Sequence, residues 1–126
     1  MRPAALLVLL VLLGLTAAPA TARSRHFQTP SHRIACLYDS KGGPGPHIRC
    51  DALFLNDVAF FLDRSHKGKR RHATDTVADP RAKVLSYGKS LELGPFSCAS
   101  RRTFLKCKSR ESRHGFKVSR ERQKVF

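Results

Sequence analysis

Six histidines, four cysteines and a large excess of lysine and arginine are the groups here that could do chemistry. The histidines are His26, His32, His47, His66, His72 and His114. Two of them as acid and base, with a cation on the phosphate, would make a small secreted ribonuclease. No pair has a diagnostic spacing, and scattered surface histidines are the simpler reading. His66 and His72 could hold copper or zinc weakly from a loop, but no metal is expected. H-E-x-x-H and G-x-S-x-G are both absent. Gly42-Gly-Pro-Gly45 lacks the Lys-Ser/Thr ending of a phosphate loop. Two carboxylates for glycoside hydrolysis would need a deeper cleft than so small a core can form. The residues therefore point to a protein that is not an enzyme and needs no cofactor.

The cations carry the strongest signal. Lys plus Arg number 24 against 9 Asp plus Glu, a formal net charge of +15. Arg64 to Arg71 has five cations in eight residues, and residues 101–124 have ten against Glu111 and Glu121. Strands alternate their side chains, so Lys106, Lys108 and Arg110 would share one face, opposite Leu105 and Cys107. With Arg101, Arg102 and Arg113 they form the candidate polyanion-binding set. Such a face attracts wall polymers, anionic lipid headgroups or nucleic acid. A plain solvated face in an arginine-rich chain is the competing reading. No nucleic-acid-binding motif occurs and Trp is absent, so sequence-specific recognition is not expected.

The cysteines flank turns. Cys36 and Cys50 enclose Lys41-Gly-Gly-Pro-Gly-Pro46, and Cys98 and Cys107 enclose Arg101-Arg-Thr103. Four cysteines allow three pairings. If both segments are hairpins, Cys36 faces Cys50 and Cys98 faces Cys107 on adjoining antiparallel strands. Non-hydrogen-bonded pairs in such ladders are close enough to bridge. Closing loops of this size stabilises by about 2.5–3 kcal/mol each. A four-cysteine zinc site would want C-x₂-C pairs, and there are none.

These groups must be positioned by a chain of 126 residues. Met1 to Ala22 reads as a signal peptide: Arg2, an apolar run from Ala4 to Leu15, then cleavage sites after Ala20 or Ala22. Twelve apolar residues rise about 18 Å as a helix, short of a hydrocarbon core of about 30 Å. No second apolar run follows, so a membrane span is not expected. Residues 23–126 are expected to be one secreted, monomeric domain, stabilised by bridges in an oxidising compartment. An apolar fraction of 41% excludes a disordered chain, and the length excludes a multi-domain enzyme or a transporter.

No stretch keeps an apolar helical period over four turns. Short alternating runs between turn residues are frequent instead. Strands are expected at His32–Asp39, Ile48–Leu53, Thr74–Thr76, Lys83–Tyr87, Ser90–Leu93, Phe96–Ser100, Phe104–Ser109 and Phe116–Phe126. Ala52 to Leu62 reads either as strand, loop and strand or as one short helix, and Arg64 to Arg71 as a basic loop. The expected fold is all-β, a small disulfide-bridged antiparallel sandwich or barrel of short strands and hairpins.

Phe27-Gln-Thr-Pro-Ser31, Ile34-Ala-Cys36, Arg49-Cys-Asp51, Asp75-Thr76 and Leu85-Ser-Tyr-Gly88 occur in this order. Gly94-Pro-Phe-Ser-Cys98, Leu105-Lys-Cys107, His114-Gly-Phe116 and Ser119-Arg120 follow them. The succession resembles a family of small secreted actinobacterial proteins with no assigned function, over nearly all of residues 23–126. Members of that family often carry a third cysteine pair in the middle of the chain. The matching places here hold Phe60 and His72, so the resemblance implies that a bridge has been lost. It implies architecture and compartment, and no activity.

The leading functional reading is a non-enzymatic exported β domain that binds an anionic polymer or the envelope surface. A secreted inhibitor of a protease or lysozyme is the alternative, presenting Lys41–Pro46 or Arg101–Thr103 as a rigid loop. A small basic hydrolase or nuclease is the third.

Overall fold

The computed structural model describes residue 14, residues 24–43 and residues 45–126. The expected signal peptide over 1–22 lies outside the described residues, apart from Gly14. The first sheet is an antiparallel meander of β1 (Ser24–Gln28), β2 (Ile34–Asp39), β3 (His47–Ala52), β4 (Val58–Asp63) and β5 (Lys69–His72). A short β6 (Lys83–Val84) joins β1 in parallel. The second sheet is also a meander, of β7 (Ser90–Leu93), β8 (Phe96–Ser100), β9 (Phe104–Ser109), β10 (Gly115–Ser119) and β11 (Gln123–Val125). There is no helix among the described residues.

Period-2 alternation makes these two sheets a sandwich. Phe27, Cys36, Tyr38, Ile48, Cys50, Phe60 and Leu62 point inward from the first sheet. Leu93, Phe96, Cys98, Leu105, Cys107, Phe116 and Val118 meet them from the second. Tyr38 packs edge-on to Phe96 with ring centroids 6.2 Å apart, and Phe60 meets Phe116 at 5.7 Å. Both expected bridges are present. Cys36 faces Cys50 across β2 and β3, Cys98 faces Cys107 across β8 and β9, and each pair has a Cα separation of 4.1 Å. All four cysteines are buried in the shared core.

Of the two readings of Ala52–Leu62 the first holds, and several other sequence expectations need correction. Ala52–Leu62 resolves as strand, turn and strand: β3 stops at Ala52, and Asp57 turns the chain with φ of 51°. Arg64–Arg71 is not all loop, because Lys69–His72 pairs with β4 as an edge strand. Gly68 is required at its start, since a Cβ there would collide with the carbonyl of Gly115. Its N–H donates to the Phe126 carbonyl at 3.1 Å, which joins the edges of the two sheets. Of Lys83–Tyr87 only Lys83 and Val84 are strand; Leu85 N–H still donates to the Gln28 carbonyl at 2.8 Å before the chain turns at residues 86–89. Phe116–Phe126 is two strands, broken where the Ser119 N–H and hydroxyl both donate to the Arg122 carbonyl. Ser24–Gln28, which has no strand signature, is β1.

Thr74–Thr76 is irregular and belongs to a crossover over residues 73–82. This segment lies on the outer face of the first sheet. Val77 N–H donates to Asp51, and the Val77 carbonyl meets His26 Nδ1 at 3.1 Å. The Gln28 side chain donates to the Ala82 carbonyl. Beneath it, Ala35, Asp51 and Ala59 stand in one cross-strand row and are buried, although they face away from the core. Two alanines in that row leave the space that the crossover fills. Among the described residues, no segment covers the outer face of the second sheet in this way.

Candidate polyanion-binding face

On the outer face of the second sheet, Lys106, Lys117 and Lys124 are direct cross-strand neighbours on β9, β10 and β11. Adjacent strands are about 4.8 Å apart, so three like charges stand in a row about 10 Å long. Like charges directly opposite one another destabilise a sheet. The described ion pairs join Arg49 to Asp51 and Asp75, Arg64 to Glu111, His66 to Asp63 and Arg110 to Glu92. None of them includes a lysine.

Aromatic rings steady the row in place of carboxylates. Lys117 Nζ lies 4.1 Å from the Phe104 ring centroid. Lys106 and Lys124 sit over the Phe126 ring at 5.6 and 5.9 Å. A cation over an aromatic face is held while its charge stays unneutralised. The three lysines, with Arg122, Ser119 and Phe126, line an open depression of about 520 Å³.

Residues 44–126 match a family of unknown function, DUF6636. The chain belongs to that family. No curated protein and no solved structure matches it. The stretch that matches DUF6636 contains the whole second sheet, and so the whole lysine row. The first sheet is matched from the turn before β3 onward. The two positions at which the DUF6636 chain was expected to lack a bridge are on neighbouring strands. In register, however, Phe60 faces Arg70 and His72 faces Val58.

The six expected polyanion-binding residues are not one patch. Lys106 and Lys108 share the outer face of β9, as alternation requires. Arg110 lies past the strand end, and its charge is paired with Glu92, which is in the cross-strand row of Ser97 and Lys108. The strand ends at Ser109, whose hydroxyl accepts the N–H groups of Glu111 and Ser112 and turns the chain. Arg110 is instead tied to Glu92 at 2.9 Å and to the Gly94 carbonyl. Arg113 is in the same turn, with φ of 69°. Arg101 and Arg102 lie at the opposite end of β9, in the β8–β9 turn. Lys117 and Lys124 complete the row and were missed. Read as one strand, Phe116–Phe126 would put them on opposite faces; the turn at residues 120–122 returns Lys124 to the face of Lys117. The available signal was Ser119-Arg-Glu-Arg122, a serine-led turn.

Three of the described histidine contacts are local, and that of His26 reaches the crossover. His32 bonds Gln28, His47 bonds the Gly45 carbonyl, His66 bonds Asp63 and His26 bonds Val77. Among the described residues, no three His, Cys, Asp or Glu side chains gather as a metal site. The β2–β3 and β8–β9 turns, the two alternative inhibitory loops, lie at opposite ends of the sandwich. Two bridges fit an oxidising environment. No described helix is long and apolar enough to cross a membrane.

Proposed function

We propose that this protein is a non-enzymatic, secreted binder of a linear anionic polymer, which lies across the lysine row of the second sheet. The observation that carries the reading is the register of Lys106, Lys117 and Lys124, aligned with no carboxylate paired to any of them among the described residues. Such a row costs stability when empty and recovers it when anions bridge the strands. No described segment covers the face, whereas the crossover fills the corresponding surface of the first sheet. A secreted chain would meet wall polymers or other phosphate-bearing polymers.

The test is binding of the oxidised protein to long-chain polyphosphate over a range of salt. Three neutralised phosphates account for roughly a 40-fold loss of affinity between 50 and 200 mM salt. Replacing Lys106, Lys117 and Lys124 together by Ser should remove about that much of the salt dependence. Replacing the dispersed Arg25, Lys41 and Arg81 should change it far less. Equal losses in both triple variants would leave a general charge effect and overturn the assignment.

A further inference from the structure

A second site of different chemistry lies at the turn end of the sandwich. Arg33 follows the β1–β2 turn, Arg101 and Arg102 are in the β8–β9 turn, and Arg120 is in the β10–β11 turn. All four line one cleft of about 320 Å³, a volume at the lower end of the range for small-molecule sites. Tyr87 and Phe54 also line it. Glu121 is the single carboxylate among the lining residues. Four guanidiniums against one carboxylate leave a strong local excess of positive charge. None of the four is in a described ion pair.

The walls are formed in advance. In the first turn, His32 N–H donates to the Thr29 carbonyl, Thr29 and Ser31 hydroxyls lie 3.1 Å apart, and the left-handed His32 is held by Gln28. Arg101 N–H donates to Phe104, and Gly88 N–H donates to Ser100. The third turn is closed by Ser119 and Arg122. A site built from hydrogen-bonded turns loses little entropy on binding. Tyr87 remains 37% exposed with the Arg102 guanidinium stacked over its ring at 5.7 Å, so the ring holds the cation at the cleft and keeps the rest of its surface open.

We propose that this cleft binds a phosphomonoester carried on a sugar ring. Guanidiniums present paired N–H donors that match phosphate oxygens bidentately. The aromatic walls suit the C–H faces of a sugar, and Glu121 can accept from its hydroxyls. This site does not depend on the lysine row, whose chemistry suits an extended chain of charges.

The test is titration of the oxidised protein with glucose 6-phosphate, inorganic phosphate and glucose, followed by amide NMR at physiological salt. Glucose 6-phosphate should move the amides of residues 31–33, 87–89, 101–104 and 119–121 saturably at about millimolar concentration. Inorganic phosphate should bind at least about tenfold more weakly, and glucose should produce no change. Arg102→Gln should weaken glucose 6-phosphate by about tenfold or more. Tyr87→Ala should weaken it while leaving inorganic phosphate unchanged. The Lys106, Lys117 and Lys124 triple variant should bind it as the parent does. Equal affinity for inorganic phosphate and glucose 6-phosphate would overturn the proposal. So would equal sensitivity to the lysine triple variant and to Arg102→Gln, or no saturable shift.

Discussion

Arg49 on β3 grips Asp75 of the crossover with both terminal guanidinium nitrogens, at 3.0 and 3.1 Å. Its Nε donates at 2.8 Å to Asp51, two residues along the same strand. One side chain thereby fixes a buried carboxylate and a long connection at once. The Phe61 ring lies beneath it, 5.5 Å from the guanidinium carbon.

Arg49→Met should therefore be among the most damaging single changes outside the core. It would leave Asp51, which is 4% exposed, with only the Val77 N–H as a described donor. The expected loss is about 2–3 kcal/mol. Adding Asp51→Asn should recover at least half of it, because the stranded charge is then gone. Urea denaturation of the two variants checks both signs.

Stability should fall in acid for an identifiable reason. Hydrogen bonds from Arg49 hold the Asp75 carboxyl below the usual carboxylate range. Burial pushes Asp63 upward, but the Ser65 and His66 amides and the His66 ring outweigh it and leave it lowered. Both groups thus contribute stability above the unfolded carboxylate value of about 3.9, and lose it as pH falls toward their folded values. The denaturation midpoint should hold from pH 7 to about 5 and drop below about 4. Asp75→Asn combined with Asp63→Asn should flatten that drop.

Lys117→Glu should move stability and binding in opposite directions. It places a carboxylate between Lys106 and Lys124. Two repulsive cross-strand contacts become attractive, a gain of about 0.5 kcal/mol at low salt that shrinks as salt screens it. Polyphosphate affinity should fall in the same variant. A stability gain without a binding loss would separate the row from its proposed role.

Non-reduced peptide mapping should return Cys36–Cys50 and Cys98–Cys107 and no crossed pair. Replacing either pair by alanines should cost about 3 kcal/mol by loop-closure entropy. The two double variants should add, since the bridges close separate loops.

The hairpins were legible because several local signals agreed there. Gly and Pro between Cys36 and Cys50, with alternating Ile34, Cys36 and Tyr38, specify one register. The region around Cys98 and Cys107 does the same. β1 was not legible because its only core side chain is Phe27; pairing with β2 and β6 makes it a strand. β5 was hidden because Lys69-Arg-Arg-His72 has the composition of a loop. What makes it an edge is the ladder to β4 and the close approach of Gly68 to Gly115. The candidate site was half legible. Lys106 and Lys108 follow from alternation, but Arg110 was lost to a turn and Lys124 gained from one. A turn that is missed by one residue reverses which face every later side chain occupies.

Neither bridge ties one sheet to the other; each closes a hairpin inside its own sheet. Under a mechanical load applied between residues 24 and 126, the layers could peel apart with both bridges intact. The chain would then pay out as a thread carrying two closed rings, which withhold spans of 14 and 9 residues from its contour length.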